Sequence, residues 1–312
     1  MIEAQPNRVI YGKTLVELGE LYPELVVLDA DISKSTNTFH FQKRFPERFF
    51  NLGVAEQNLI GVAAGLATVG FLPFVSTFAV FLSMRAIEQI RTSVAYPNLN
   101  VKIVATNAGV EIAGDGVTHQ AIEDLSITRS IPNLTILSPS DPVSTYKAVF
   151  EIAKMNGPVY VRLGRQIRPV IHSENIIFDI GKMIKIKDGN DITIISTGNM
   201  VEQSIIAADI LEKRGIHCRV FDCHTIKPID EDQIVLAAKE TKGIITAEDH
   251  NIIGGLGGAV CEVLSERSPT IVRRVGLRDK FASSGRDYKK LLSYYGLDYN
   301  SIIKYAEEIY YT

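Results

Sequence analysis

The amino-acid sequence predicts an α/β fold of two domains, each a mostly parallel sheet with helices on both faces. Short apolar stretches alternate with longer amphipathic or small-residue stretches along nearly the whole chain. This pattern is typical of parallel sheets whose two faces are covered by helices. The length of 312 residues is that of two domains of ordinary size. Apolar residue types make up 46% of the chain, so each half can bury a core.

The first half of the chain contains the alternating pattern in its clearest form. The predicted strands cover residues 25–29, 49–52, 71–77, 101–106, 134–137 and 159–162, and the predicted helices residues 13–21, 55–70, 80–94, 120–129 and 142–154. Asp141 is expected to cap the last of these helices, because an aspartate side chain accepts a hydrogen bond from a first-turn N–H group.

The alternation is lost between residues 168 and 190, where Pro169 and Gly181 interrupt the chain. We expect a first domain over residues 1–172, a linker over residues 173–190 and a second domain over residues 191–312. The second domain resumes the alternation and ends on an amphipathic helix. Its predicted strands cover residues 192–196, 218–222, 243–247 and 271–275, and its predicted helices residues 201–214, 230–239, 257–266 and 299–310.

Charge and composition argue against several functional classes. The formal net charge is −3, which does not favour binding to nucleic acid or to an anionic membrane surface. The N-terminus lacks a basic segment followed by an apolar run, so we expect no signal peptide. The longest apolar run, residues 71–82, is too short to span a bilayer. The three cysteines, Cys218, Cys223 and Cys261, show no metal-binding spacing, which fits a protein of the reducing cytoplasm.

The stretch over residues 49–95 joins predicted strands to predicted helices with almost no spacer, and Glu56 begins the first of these helices. Ligands of open α/β sheets bind where strand ends lead into helices. Small residues follow Glu56, among them Gly61 and Gly65, and they allow a ligand or another backbone to approach closely. A carboxyl group among such neighbours is expected to have a raised pKa and to exchange protons near neutral pH. The alternative is a first-turn carboxylate that only stabilises the helix dipole.

Three segments of this stretch resemble the pyrimidine-binding domain of transketolases: NLGVAEQN at residues 51–58, AAGLA at residues 63–67 and VSTFAVF at residues 75–81. The resemblance extends from about Arg8 to the C-terminus. The chain is similar to the second half of a full-length transketolase, and most of all to the short subunit of split transketolases. The resemblance implies thiamin diphosphate as the cofactor.

The resemblance also implies roles for four residues around the cofactor. Glu56 matches the glutamate that bonds N1′ of the aminopyrimidine ring and favours its imino form, which then takes the thiazolium proton. Phe81 matches the ring that stacks on the pyrimidine, with Phe78 beside it, although an aromatic pair at this spacing usually belongs to a core. Asp31 matches an aspartate near the dimer interface at the cofactor site.

A second group of residues is implied to bind the phosphate of a sugar substrate. Arg8, Ser35 and Arg165 match residues with this task, and the planar guanidinium of arginine pairs well with phosphate oxygens. Asn107 stands where phosphate-binding transketolases usually have a histidine. Asparagine can donate a hydrogen bond to a phosphate but carries no charge, so the usual phosphosugar preference is expected to be weaker.

The segment DGVTHQ at residues 115–120 is similar to the family's Asp-Gly-x-Thr-His-Gln, which binds substrate hydroxyls. The match implies that Asp115 contacts the hydroxyl chain and that His119 has a catalytic role at the carbonyl or hydroxyl end of the donor. The overlapping GDG triplet at residues 114–116 also opens the metal–diphosphate motif of thiamin enzymes. That motif needs asparagines roughly 25–30 residues later as oxygen ligands for magnesium. Ser140 and Asp141 stand there, so we expect no metal site in this chain.

Together these matches imply a subunit of a split transketolase that transfers a two-carbon ketol unit from a ketose to an aldose. Magnesium or calcium and the diphosphate are then held by a partner, the N-terminal transketolase subunit, in a two-plus-two assembly. Close alternatives are a subunit of an enzyme like 1-deoxyxylulose-5-phosphate synthase or like the β-subunit of 2-oxoacid dehydrogenases. A further alternative is a non-catalytic transketolase-like protein, which the retained site residues argue against.

Overall fold

The computed structural model describes residues 2–312 and confirms the predicted α/β class. The strands are β1 (Gln5–Pro6), β2 (Leu25–Asp29), β3 (Phe49–Asn51), β4 (Leu72–Phe78), β5 (Lys102–Thr106), β6 (Thr135–Leu137), β7 (Val159–Arg162), β8 (Ile167–Arg168), β9 (Ile184–Lys187), β10 (Ile192–Ser196), β11 (Cys218–Asp222), β12 (Thr225–Lys227), β13 (Ile244–Asn251) and β14 (Val272–Leu277).

Most of the helices lie between strands, as the alternating pattern predicts, and the last two follow the final strand. They are α1 (Asn7–Leu21), α2 (Ser33–Thr36), α3 (Phe39–Arg44), α4 (Glu56–Thr68), α5 (Ala79–Met84), α6 (Ile87–Gln89), α7 (Asp124–Arg129), α8 (Pro142–Lys154), α9 (Met200–Glu212), α10 (Glu231–Glu240), α11 (Leu256–Arg267), α12 (Tyr288–Tyr294) and α13 (Tyr299–Tyr310). Within residues 2–312, no helix combines the length and the apolar character needed to cross a bilayer.

The first sheet has seven strands within the described residues, in the order β12–β6–β7–β5–β4–β2–β3. All neighbours are parallel except β12, which is antiparallel to β6. Strands β2, β4 and β5 are buried along their whole length, as expected for a sheet covered on both faces. The parallel strands end at one common edge, where the chain leaves the sheet at Asp29, Phe78 and Thr106.

The second sheet has five strands in the same described part of the chain, in the order β14–β13–β10–β11–β9. Only β9 is antiparallel to its neighbour. Helices α9, α11 and α13 pack against this sheet. Their apolar faces include the buried residues Leu211, Val260 and Ile302. We refer to the parts of the chain built on the two sheets as the first unit and the second unit.

The predicted cap of α8 is confirmed. The Asp141 Oδ1 atom accepts a hydrogen bond from the Ser144 N–H group at 2.7 Å. The Ser144 Oγ atom in turn accepts one from the Asp141 N–H group at 3.0 Å. This reciprocal capping box satisfies two backbone donors that the helix itself cannot pair.

The helix predicted over residues 80–94 is divided into α5, α6 and a π-helical turn, Ile90–Ala95. The apolar spacing gives no sign of the division, because the buried residues Leu82, Ala86, Ile90 and Val94 follow one another at intervals of four. The helix predicted over residues 120–129 is shorter than expected, since α7 begins only at Asp124. Residues 120–123 belong instead to a loop that packs against the second unit.

Four short strands were not predicted from the sequence: β1 and β8, which pair with each other, and β9 and β12. Strand β9 lies inside the segment expected as a linker, residues 173–190, and forms an edge of the second sheet. Strand β12 follows β11 in the second unit but pairs with β6 of the first sheet. The chain therefore crosses from the second sheet to the first after residue 222. The predicted domain limits, with a linker over residues 173–190, stay a prediction.

Buried polar groups join the two units at the end of β11. The Asp222 Oδ2 atom accepts a hydrogen bond from Ser140 Oγ at 2.6 Å and lies 2.8 Å from His172 Nε2. Burial disfavours the charged imidazole, but the hydrogen bond and the charge of Asp222 outweigh it and raise the pKa of His172. Two side chains of the first unit therefore hold one carboxylate of the second.

Candidate active site

Most of the predicted site residues form one row at the carboxyl edge of the first sheet. Neighbours in the row share a contact, a loop or an electrostatic interaction. From one end to the other, the row consists of Glu56, Arg85, Phe81, Phe78, His119, Asp115, Arg165, Arg8 and Ser35. The row therefore connects an acidic and aromatic end to a cationic end.

Glu56 begins α4 after a turn in which Gly53 has a φ of +72°, the left-handed conformation that glycine adopts readily. The residue is only 4% exposed. Both carboxylate oxygens face Arg85 Nη1, at 3.3 and 3.5 Å. A cavity of about 540 Å³ adjoins this pair, lined by the start of α4 together with Met84 and Arg85. The carboxyl group is thus buried yet borders a space large enough for a ring.

Sequence reasoning missed Arg85. Its guanidinium carbon lies 4.1 Å from the centroid of the Phe81 ring, a favourable cation–π arrangement. The spacing of four residues between Phe81 and Arg85 was a signal in the sequence, because residues at i and i+4 face each other on a helix. The guanidinium therefore covers the face of Phe81 and the carboxylate of Glu56 at the same time.

Phe78 and Phe81 lie where β4 passes into α5. Their ring centroids are 5.7 Å apart with an interplanar angle of 24°. The His119 ring meets both edge-on, at 6.2 and 5.4 Å. Phe78 is 9% exposed, whereas Phe81 is only partly buried. Phe81 is therefore a site-facing ring rather than a member of the core, and its stacking on a pyrimidine stays a prediction.

The cationic end of the row contains two arginines. Arg8 Nη1 donates a hydrogen bond to the Ser35 carbonyl oxygen at 2.5 Å. Arg165 Nη1 lies 3.2 Å from Asp115 Oδ2. Burial and the nearby charge of Arg165 lower the pKa of Arg8. Two guanidinium groups that repel each other in this way attract an anion between them.

Asp31 and Asn107 are both in the left-handed region, with φ angles of +66° and +60°. The Asp31 Oδ1 atom accepts a hydrogen bond from Asn51 Nδ2 at 2.7 Å, which ties the end of β2 to the end of β3. Asn107 is 1% exposed, and its Oδ1 atom has no hydrogen-bond partner among the described residues. A buried acceptor without a hydrogen-bond partner lowers the stability of the fold, so this side chain is a candidate for contact with a ligand or water.

Gly61 and Gly65 lie on the exposed side of α4. A Cβ atom added at either position would meet no other atom within 4 Å. Nothing in the described part of this chain therefore requires glycine there for packing. The expectation that a ligand or another backbone approaches this face stays a prediction.

The residues around Glu56 and Phe81 suit a planar heteroaromatic ring, since a buried carboxyl group borders a cavity and shares its neighbour Arg85 with an aromatic ring. The same residues do not suit a metal ion. Among residues 2–312, no group of three or more His, Cys, Asp or Glu side chains is positioned to hold a metal ion. Asp115, the carboxylate of the GDG triplet, is paired with Arg165.

Two family models match nearly the whole chain. The model of the transketolase pyrimidine-binding domain matches residues 3–169. The model of the transketolase C-terminal domain matches residues 181–302. The match of the first model alone covers more than half of the chain.

Curated relatives and solved structures agree with these models. A protein of Methanocaldococcus jannaschii described as a transketolase C-terminal section is 50% identical, over 94% of this chain and 93% of its own length. The 6-deoxy-6-sulfo-D-fructose transketolase subunit of a Clostridium species is 41% identical, over 97% of this chain and 94% of its own length. A solved split-gene transketolase, described as an inactive β4 tetramer, is 49% identical with a TM-score of 0.91, over 98% of both chains. The Campylobacter jejuni transketolase shares the fold, with a TM-score of 0.84 at 22% identity, over 98% of this chain and 47% of its own.

Proposed function

This chain belongs to the transketolase family, and on that basis we propose that it is the pyrimidine-binding subunit of a split, thiamin-diphosphate-dependent transketolase. The enzyme transfers a two-carbon ketol unit from a ketose to an aldose. The observation that carries the proposal is the buried carboxyl of Glu56, which shares its neighbour Arg85 with the partly buried ring of Phe81. Relatives of similar length that are described as transketolase sections or subunits support it.

Glu56 and Phe81 are the residues that would hold the aminopyrimidine ring. When bound, thiamin diphosphate supplies a nucleophilic carbon that accepts the ketol unit. The Glu56 carboxyl, only 4% exposed, would hydrogen-bond the ring nitrogen N1′ and share its proton. Phe81 and Phe78 provide a flat apolar surface that orients the ring and excludes water. Asp31 supports the same part of the site.

The rest of the row binds the sugar. Asp115 accepts hydrogen bonds from the hydroxyl chain, and His119 hydrogen-bonds the carbonyl or hydroxyl end of the donor, where it can hold a proton. Arg8, Arg165 and Ser35 bind an anionic group at the other end of the sugar. One relative acts, by its name, on a sulfonated fructose, so an anionic group other than phosphate is compatible with this family.

The diphosphate and its magnesium or calcium ion belong to the partner in this proposal, as the family's division between subunits implies. The partner is the N-terminal transketolase subunit, and two copies of each chain form the assembly. We place the assembly in the cytoplasm because Cys218, Cys223 and Cys261 are unpaired thiols. The direct test is to mix this chain with that subunit, cofactor and magnesium and to measure ketol transfer. Absence of transfer from every ketose tested would contradict the proposal.

We expect the isolated chain not to bind thiamin diphosphate tightly. The cofactor's diphosphate has no metal ligands here in our proposal, and a ring stacked on Phe81 must first displace the Arg85 guanidinium. Calorimetric titration with cofactor and magnesium measures this directly. The same titration with the partner subunit present is the control and should show saturable binding. Tight, stoichiometric binding by this chain alone would refute the assignment of the diphosphate to the partner.

We expect Asn107→His to raise kcat/KM for phosphorylated aldoses more than for unphosphorylated ones. Asparagine already donates to a charged phosphate, so the gain comes from the positive charge of a protonated imidazole, about 1 kcal/mol or roughly a fivefold change in preference. Histidine tolerates the left-handed backbone that this position requires. Steady-state kinetics with paired substrates of equal chain length gives the ratio.

Asn133→His is the matched control for this substitution. Asn133 also has a left-handed backbone, with a φ of +65°, but it is exposed and precedes β6. The control variant should keep the wild-type preference. An unchanged preference in Asn107→His as well would mean that the side chain at this position does not face the anionic group.

A further inference from the structure

The loop over residues 107–123 presents Asp115 and His119, yet much of it packs against the second unit rather than its own sheet. Three apolar side chains of this loop belong to the hydrophobic cluster of the second unit, together with residues of β10, β13 and β14. These side chains are Val110, Ala113 and Ile122, and each is at most 6% exposed. The 107–123 loop is therefore anchored in the core of the second unit at three points.

A buried carboxylate of the second unit fixes the beginning of the loop. The Val110 N–H group donates to the Asp249 carboxylate, with oxygens at 3.1 and 3.3 Å. Asn199 Nδ2 donates to the same carboxylate at 3.0 Å and so holds its orientation. Gly109 has a φ of +68°, and a Cβ atom there would lie 2.2 Å from Asp249 Oδ2. The glycine and the aspartate thus fit each other with no room for a side chain between them.

A second set of contacts fixes the middle of the loop, close to Asp115. Ser284 Oγ donates to the Gly114 carbonyl oxygen at 2.7 Å, and the Gly285 N–H group donates to the Ala113 carbonyl oxygen at 3.2 Å. Gln120 Nε2 donates to the Ser283 carbonyl oxygen at 3.1 Å. Both sides of the DGVTHQ segment are therefore bonded to residues 283–285 of the second unit.

We propose that the second unit sets the conformation of the 107–123 loop, with Asp249 and Ser284 as positioning residues for Asp115 and His119. Neither positioning residue touches the substrate in this proposal. They bind the backbone of the loop on the side that faces the second unit, so that the side chains of Asp115 and His119 keep one orientation. The proposal gives the C-terminal domain a task in substrate binding, and it rests on the proposed function in so far as Asp115 and His119 bind the sugar.

The first experiment follows amide hydrogen exchange of residues 113–119 in the whole chain. Ser284→Ala should speed exchange in this segment by about threefold to tenfold, the factor expected for loss of one hydrogen bond. Ser265→Ala is the matched control, because its hydroxyl is also exposed and also donates to a backbone carbonyl, that of Glu262 at 2.9 Å. The control should leave residues 113–119 unchanged. Unchanged exchange in Ser284→Ala would overturn the role of Ser284.

Asp249→Asn tests the other anchor. An asparagine can accept one hydrogen bond through its oxygen, but its NH₂ group then opposes either Val110 N–H or Asn199 Nδ2, so exchange of residues 110–119 should rise. Unchanged exchange in a folded Asp249→Asn protein would overturn the role of Asp249. If this variant fails to fold, Ser284→Ala still decides whether the second unit holds the loop.

Kinetics of the assembled enzyme separates positioning from general damage. In Ser284→Ala the KM for the ketose should rise about threefold to tenfold, the effect of one lost hydrogen bond, while cofactor affinity stays at the wild-type value. A loss of cofactor affinity of the same size would contradict positioning and indicate a general disturbance. If the wild-type assembly shows no ketol transfer, the proposed function fails, and the hydrogen-exchange result alone decides whether the loop is held by the second unit.

Discussion

Glu56→Gln is expected to lower turnover of the assembled enzyme by roughly 10²–10⁴-fold, the contribution typical of a positioned proton-transfer group. Glutamine keeps the shape of the side chain and can still hydrogen-bond a ring nitrogen, so cofactor affinity should stay within about an order of magnitude. What glutamine cannot do is share a proton with N1′. The measurement is turnover, together with deuterium exchange at the thiazolium carbon followed by proton NMR after acid quench.

The structure indicates that this substitution changes the chemistry of the site without disturbing the fold. Arg85 is the charged partner of Glu56, and its side chain is 52% exposed. Its guanidinium can therefore turn to water when the carboxylate is replaced, so that no unpaired charge is buried. The fold should survive, and the loss of rate can be assigned to the carboxyl group itself.

Glu202→Gln is the matched control. Glu202 lies in the first turn of α9, a helix of 13 residues like α4, but outside the row of site residues. If Glu56 only stabilised its helix dipole, both variants would show the same small loss of stability, about 0.3–1 kcal/mol, and normal rates. Exchange at the wild-type rate in Glu56→Gln would assign Glu56 to the structure and leave proton transfer to another group.

The fold was predictable because burial in a parallel sheet leaves a simple signal. Strands β2, β7, β10 and β11 begin and end at the residues predicted from the sequence. Strand β9 was missed because its IKIK alternation stands at an edge, half exposed, in a segment flanked by Gly181 and Gly189. Strand β12 was missed because Ile226 is the one apolar residue among its three, and its partner β6 lies in the other unit.

The candidate site could be predicted where its residues stand in short motifs, Glu56 in NLGVAEQN and Asp115 and His119 in DGVTHQ. Arg85 lies outside any motif, and only its helical spacing from Phe81 indicates the contact. Asp249 and Ser284 could not be found in this way, because they meet the 107–123 loop only after the two units have packed together. A local sequence pattern cannot predict a contact between residues more than a hundred positions apart.

Asp124→Ala is expected to destabilise the chain by about 3–5 kcal/mol, the usual cost of leaving one partner of a buried ion pair alone. Asp124 is fully buried at the start of α7, and Arg162 Nε lies 2.9 and 3.1 Å from its two carboxylate oxygens. Tyr160 donates a further hydrogen bond to the same carboxylate at 3.0 Å. Alanine removes all three interactions and leaves the buried guanidinium without its hydrogen-bonded carboxylate, with only the more distant charge of Asp249 nearby. Urea denaturation followed by circular dichroism gives the change in the free energy of unfolding.

Two further variants identify the cause of this loss. Glu20→Ala removes the carboxylate of an exposed pair with Arg44, whose side chains are 52% and 57% exposed, and should cost less than about 1 kcal/mol. In the double variant Asp124→Ala/Arg162→Met the unpaired charge is gone, so part of the lost stability should return. Arg162 Nη2 also donates to the carbonyl oxygens of Ala121 and Asp249. If Asp124→Ala costs less than about 1 kcal/mol, these two carbonyl groups suffice to hold the guanidinium, and the carboxylate is not required for its burial.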